Sequence, residues 1–289
     1  MMNIDVSREI EEYWEKQKKL ADCWNQNYVL QDKVCGNQNA IYQELTFQAL
    51  DGTSIRVRYV RPTVRKAVPL VFDFHDEGQP VQGWFHLTRY IALGYAVAAM
   101  EVRGVQDCSY ARGAEGGVDN LYDRLVYLDA YLMSHIMEQM EGIDTACMAA
   151  FGRGHGGAIA LALCALNPKI KKCSMEYPTL CDIRQEVALG YGREQESLKR
   201  YFRMQDPMHE QEAKVLRNLN RIDLINLAPM VQAEVLMATA MLDTVSPPLC
   251  QEAVYERISG KKQRIIFPRH EHELINAFED ENLKFLKFI

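Results

Sequence analysis

Three features of this 289-residue chain could do chemistry together: the glycine frame Gly152-Arg153-Gly154-His155-Gly156, the acid Asp243 and the base His272. A G-x-S-x-G turn between a strand and a helix exposes a serine hydroxyl on a strained backbone. An acid then holds a histidine in its useful tautomer, and the histidine takes the serine's proton. Nucleophile, acid and histidine follow one another along the chain in that order here. The frame, however, holds Gly154 where the serine belongs. The elbow is present and its nucleophile is missing.

Two other readings of the glycines compete. Gly152, Gly154 and Gly157 also fit the G-x-G-x-x-G spacing of a dinucleotide fingerprint, with Glu176 as the acid further on. That fingerprint belongs after the first strand of a sheet, and this one falls mid-chain. A plain strand-to-helix turn that needs small residues for close packing is the blander alternative. A third chemistry, a metal site made of His270, His272 and Asp243, has a His-x-His pair but no obvious further ligand.

These residues must be positioned by elements the sequence also marks. Residues 145–150 form a short apolar run that reads as a buried parallel strand, and residues 158–166 read as a buried helix. Upstream, residues 6–28 carry Ile10, Tyr13, Trp14, Ala21, Trp24 and Tyr28 at helical spacing, an amphipathic helix. Alternating apolar residues around Asp51-Gly52 read as an antiparallel hairpin. Arg56, Arg58 and Arg61 are expected on one solvated face of its second strand. Strands are expected at 68–75 and 95–100, separated by a helix over 86–93 that Gly94 ends. A helix over 120–141 precedes the elbow. Strands at 170–177, 234–242 and 264–267 follow it, with a polar helical insertion, lid-like, over 181–230. Strands alternating with helices after an antiparallel start predict a mostly parallel, doubly wound α/β sheet with an antiparallel N-terminal hairpin, in one domain spanning 1–289. Catalytic groups in such sheets gather at the carboxyl ends of the strands, where Gly154, Asp243 and His272 all fall.

Composition narrows the partners. A net charge of −6 gives no footprint for nucleic acid or an anionic membrane. The apolar run at 158–166 is too short to span a bilayer. Asp5, Arg8, Glu9, Glu11 and Glu12 stand where a signal peptide would have an apolar core, so export is not expected. Cys147, Cys164 and Cys173 lie inside apolar runs, which fits reduced cysteines in a cytoplasmic protein.

The chain resembles the acetyl xylan esterase and cephalosporin C deacetylase family of carbohydrate esterases, members of the α/β-hydrolase superfamily. The likeness is carried by Arg103-Gly104, the elbow through Ala158, Glu176-Tyr177-Pro178 with Leu180-Cys181, Leu242-Asp243-Thr244-Val245-Ser246-Pro247-Pro248, and His272-Glu273. It implies an α/β-hydrolase fold, a carboxylic ester hydrolase acting on acetylated sugars or small molecules, no cofactor and a ring-like homo-oligomer. It also implies that Asp243 is the triad acid, His272 the base, and the backbone N–H groups of Asp76 and His155 the oxyanion donors. The departures fall on the chemistry. Gly154 replaces the family's serine, His155 its usual glutamine, and Val105 the glutamine after Arg103-Gly104. Asp76 and Glu77 replace a tyrosine and a neutral polar residue. A carboxylate beside an oxyanion hole opposes the charge the hole should stabilise. Ser109, Ser174 and Ser246 do not sit on an elbow. The expectation is a relative without ordinary serine-esterase activity, retained for binding or assembly. The alternative is a weak hydrolase in which His272 and Asp243 activate water directly.

Overall fold

Buried apolar runs lie side by side in the middle of a nine-stranded sheet, ordered β1-β2-β3-β5-β4-β6-β7-β8-β9 in the computed structural model. The structure describes residues 4–25, 27–104, 113–114 and 116–287. Helix α1 (Ile4–Asp22) leads into β1 (Tyr28–Lys33), β2 (Ala40–Gln48) and β3 (Ser54–Pro62), which pair antiparallel, as does β3 with β5 (Ala96–Met100). From β4 (Val68–Phe74) onward the partners are parallel: β4 with β5, then β6 (Ile143–Arg153), β7 (Lys172–Glu176), β8 (Glu234–Ala240) and β9 (Lys262–Phe267).

The helices fall on both faces because the parallel strands are apolar on both. Leu70 and Phe72 of β4 pack into one core with α1, α4 (Tyr122–Glu138) and α5 (His155–Leu166). Val71, between them, faces a second core with α2 (Trp84–Leu87), α3 (Arg89–Ala92) and the C-terminal helix spanning Asn276–Phe285. Every residue of α5 is buried, which is why it shows no polar face in the sequence. Between β7 and β8 run α6 (Ile183–Leu189), α7 (Arg193–Gln205), α8 (Glu212–Leu219) and α9 (Leu224–Leu227). The Asp223 carboxylate ties that excursion to its own beginning, accepting from the N–H groups of Asp182 at 2.9 Å and Ile183 at 2.8 Å. Helix α10 (Pro248–Arg257) lies between β8 and β9, and the C-terminal helix is α11.

The expected hairpin is β2–β3, closed at Asp51-Gly52 with Ala49 N–H donating to Thr53 O at 2.8 Å. Three details differ from the sequence reading. The first helix stops at Asp22 rather than reaching 28: Ile10 and Trp14 are buried against the body, Trp14 beside Tyr127, whereas Tyr28 opens an extra edge strand, β1. The helix expected over 86–93 is two single turns that meet at Thr88. Arg61 points to the face opposite Arg56 and Arg58, because β3 alternates at every residue; Arg58 is not simply solvated but donates to Gln82 O at 2.7 Å and lies over the Trp84 ring. Among the described residues no helix is long and apolar enough to cross a membrane.

Candidate active site

At the carboxyl end of β6, Gly154 turns the chain from strand to helix at φ 51° and ψ −118°, a backbone region that favours glycine. The turn is pinned by its neighbour: Gly154 N–H donates to Glu176 O at 3.0 Å and Thr179 N–H to Gly154 O at 3.1 Å. Helix α5 then starts so close to β4 that a Cβ on Gly156 would stand 2.2 Å from Phe74 O. The glycines therefore serve both the turn and the packing.

Asp243 follows β8 and is buried. Its Oδ1 accepts from Val245 N–H at 2.8 Å and Ser246 N–H at 2.9 Å, so the Thr244-Val245-Ser246 turn fixes the carboxylate. Ser246 Oγ donates to Pro178 O at 2.6 Å, which joins that turn to the one supporting Gly154. The other oxygen, Asp243 Oδ2, meets His272 Nδ1 at 2.8 Å. Beyond β9, the His272 ring packs against Tyr177, with centroids 4.5 Å apart. Gly154, Asp243 and His272 are thus gathered at one end of the sheet.

What lies above Gly154 is the carboxylate of Asp76. Asp76 follows β4 in a loop clamped by His75, whose Nε2 accepts from Val102 N–H at 3.1 Å while Nδ1 contacts Asp76 O at 2.8 Å. That pairing identifies a neutral ring protonated at Nδ1, and burial lowers the His75 pKa in the same sense. Asp76 Oδ1 accepts from His155 N–H at 2.8 Å and Glu77 N–H at 2.7 Å; Oδ2 meets His272 Nε2 at 3.1 Å. A Cβ built on Gly154 would be 2.0 Å from Asp76 Oδ1. The carboxylate therefore fills the volume that a side chain at position 154 would take. It also engages an N–H group expected to be an oxyanion donor.

The electrostatics follow from this array. Burial favours a neutral His272, but the hydrogen bonds and charges of Asp243 and Asp76 outweigh it and raise the pKa to about 9. Burial likewise favours a protonated Asp76, and the His272 and backbone N–H donors overcome it, holding the carboxyl below its ordinary value. At neutral pH the site is a carboxylate–imidazolium–carboxylate row, with each His272 nitrogen donating to one acid.

The other expected residues divide. His155 faces the site only with its backbone; its buried ring turns away to Asp123, Nε2 to Oδ1 at 2.6 Å, and stacks on Tyr122. Glu77 is ion-paired with Arg193, which also holds Glu194 at 2.6 Å. Glu176, the acid of the dinucleotide alternative, accepts from Arg153 Nε at 2.7 Å and has no exposed surface, so a ribose could not reach it. His270 packs edge-on to Phe267, and among the described residues no group of three His, Cys, Asp or Glu is arranged to hold a metal. Ser174 and Ser246 are buried away from the elbow turn; Val105 and Ser109 lie outside the described residues. The sequence reading missed the bonds from Asp76 to His272 and His155. The one signal for them was the pair of departures expected at 76 and 154, since a glycine at one position makes room for a carboxylate from the other.

Two clefts open onto the Asp76–His272 pair. One, of about 350 Å³, is lined by Gln79, Gln82, Arg153 and Tyr177; the other, of about 640 Å³, by Glu77, Tyr191, Arg193 and Thr244.

A parallel sheet carrying an elbow after β6, an acid after β8 and a histidine after β9 has the α/β-hydrolase fold, and solved structures of that type superpose on it. The acylaminoacyl peptidase of Pyrococcus horikoshii matches 82% of this chain and 38% of its own at a TM-score of 0.62, a likeness of fold alone at 13% identity. Acetyl xylan esterase 1 from Thermoanaerobacterium sp. JW/SL YS485 matches far more fully, at a TM-score of 0.91 and 28% identity over 99% of this chain and 98% of its own. The acetyl xylan esterase from Paenibacillus sp. R4 also reaches 0.91, at 24% identity over 98% and 94% of the two chains. The chain belongs to the acetyl xylan esterase family (AXE1), which matches residues 3–288. Among curated proteins, the acetyl esterase Axe7A of Xylanibacter ruminicola is 24% identical over 154 residues, which is 53% of this chain and 34% of that protein. This chain therefore matches only about a third of that relative's length.

Proposed function

We propose that this acetyl xylan esterase family member has abandoned the serine mechanism, with Gly154 at the nucleophile position, and keeps its site to bind a small acetylated molecule or sugar. The observation that carries the reading is the Asp76 carboxylate lying over Gly154, hydrogen-bonded to His155 N–H and His272 Nε2. An acyl-enzyme needs a hydroxyl at that point and empty donors for the oxyanion; here glycine supplies no hydroxyl and one donor is already engaged. Direct activation of water by His272 and Asp243 needs a free Nε2 lone pair, and the bond to Asp76 with a pKa of about 9 opposes that. The family likeness supports the acetylated ligand and assembly as a homo-oligomer, the latter checked by light scattering; the cysteines inside apolar runs support a place in the cytoplasm.

The test is turnover of p-nitrophenyl acetate together with a serine-directed organophosphonate read by intact mass. No acyl burst and no adduct are expected, whereas acetylated xylo-oligosaccharide should raise the melting temperature. Stoichiometric labelling of a serine would refute the reading.

A further inference from the structure

The carboxylate above Gly154 is more than an obstruction, because the groups around it hold it in one orientation beside His272. Asp76 Oδ1 is fixed by two backbone donors, His155 N–H and Glu77 N–H, while Oδ2 faces His272. His272 is itself oriented by Asp243, which two N–H groups hold in place. The Asp76 side chain keeps 22% of its surface exposed, toward the two clefts that it lines. A carboxylate gains little by attacking an acetyl ester, since the alkoxide it would expel is much the better nucleophile. Against a saturated carbon with an anionic leaving group, that objection disappears, and Asp and Glu carboxylates do serve as covalent nucleophiles.

We infer that Asp76 is a nucleophile in the serine's stead, hydrolysing a saturated carbon–halogen bond, as in a primary alkyl halide, through an aspartyl ester. In the first step Asp76 Oδ2 gives an electron pair to the carbon, the C–O bond forms, and halide leaves with the pair of the broken bond. Asp76 is now a neutral ester, so only Asp243 still holds the His272 proton, which passes to solvent. Nε2 then takes a proton from water as the water oxygen adds to Asp76 Cγ. The negative charge falls on Oδ1, where the His155 and Glu77 N–H groups already sit, so the donors for this oxyanion are in place beforehand. Collapse breaks the Cγ–Oδ2 bond, and His272 returns its proton to the departing oxygen, giving the alcohol. The new carboxyl proton passes to His272 and restores the ion pair. The sum is alkyl halide plus water to alcohol, halide and one proton.

The inference rests on the missing serine argued above, and the two readings fail separately: organophosphonate labelling of a serine sinks the first, and the following experiment addresses the second. The native chain is mixed with 1-bromobutane and bromide is measured. Asp76→Asn should lower release by at least on the order of 10³-fold, the scale of losing a catalytic nucleophile. In a single turnover in ¹⁸O-water, the heavy oxygen should enter the peptide that contains Asp76, while the butanol carries the unlabelled Oδ2. His272→Ala, unable to complete the second step, should accumulate one butyl group on Asp76. Absence of bromide release by the native chain overturns the proposal. So does equal release by Asp76→Asn, heavy oxygen found in butanol after one turnover, or butylation confined to the exposed thiols Cys23 and Cys35. The ¹⁸O measurement uses the native chain and stands even if a variant does not fold.

Discussion

Placing a serine at 154 tests whether Asp76 competes for that space. The elbow angles cost a side-chain-bearing residue about 1–3 kcal/mol. In addition, the new Cβ would lie 2.0 Å from Asp76 Oδ1, so the carboxylate must swing out and give up His155 N–H, Glu77 N–H and His272. Hydrogen bonds to a charged group are worth about 1.5–3 kcal/mol each, and water in the clefts replaces most of that. Gly154→Ser should therefore destabilise by about 3–5 kcal/mol, and the melting temperature should fall by about 2 °C for each. Asp76→Ala removes the obstruction, so the double variant should be more stable than the sum of the singles by about 1–2 kcal/mol, a coupling expected of residues in contact. Activity should follow. In the native chain the bonds to Asp243 and Asp76 keep His272 mostly protonated at neutral pH; losing Asp76 removes one of the two causes. Gly154→Ser must keep a displaced carboxylate beside its serine and His155 N–H, whereas the double variant has none, so the double variant should exceed Gly154→Ser in kcat/KM on p-nitrophenyl acetate, and His272→Ala should abolish the gain. Additive stabilities together with equal activities would mean that Asp76 does not contest the serine's place.

Other outcomes follow from the same contacts. His272 has a folded pKa above its unfolded one, so its contribution to stability is whole below about 6.5 and fades as pH rises through about 9. The native chain should lose on the order of 2–3 kcal/mol across that window; imidazole NMR should report the high pKa, and Asp76→Asn should lower it. Asp76 behaves in the opposite sense, its folded pKa lying below the unfolded value, so its contribution holds near neutrality and is lost in acid as pH falls through the folded value. His155→Ala leaves the buried Asp123 carboxylate without its partner, which should cost about 3–5 kcal/mol in chemical denaturation; His155→Ala/Asp123→Ala should cost less than that single. Arg103→Lys should recover little of the loss from Arg103→Ala, because both Asp129 oxygens are taken by one guanidinium at 2.5 Å.

The fold was legible where burial is periodic or complete. Parallel strands such as β4 and β8 are buried on both faces and show as unbroken apolar runs, and the Asp51-Gly52 turn fixed the β2–β3 register. Strand β1 was not legible because it lies on an edge with nearly every residue exposed, so no alternation marks it. Trp24 misled for a related reason: it keeps the helical spacing of Trp14, yet beyond the end of α1 its indole N–H donates to Gln48 O at 3.0 Å. For the site, chain order was enough to bring Gly154, Asp243 and His272 together, since strand ends share one edge of the sheet. The direction of side chains was not. Whether His155 turns toward the site or toward Asp123, 32 residues away on another helix, depends on space that no local pattern encodes.

Asp76 shows how a carboxylate can occupy the volume that a side chain at position 154 would fill. An oxyanion hole consists of N–H donors held ready for a charge that appears only in the transition state. Filled by a resident carboxylate, such donors stabilise a permanent charge instead. That charge then fixes the protonation of the neighbouring histidine, because an imidazolium between two acids is stronger than a neutral ring beside one. The absence of a side chain at 154 and the carboxylate of Asp76 therefore depend on each other. Either alone would leave a buried charge without room, or a row of donors and a histidine without their acceptor. Together they leave His272 charged at rest between Asp243 and Asp76. What the proposed reaction asks of this site is accordingly shared between His272 and the oxygen atoms of Asp76.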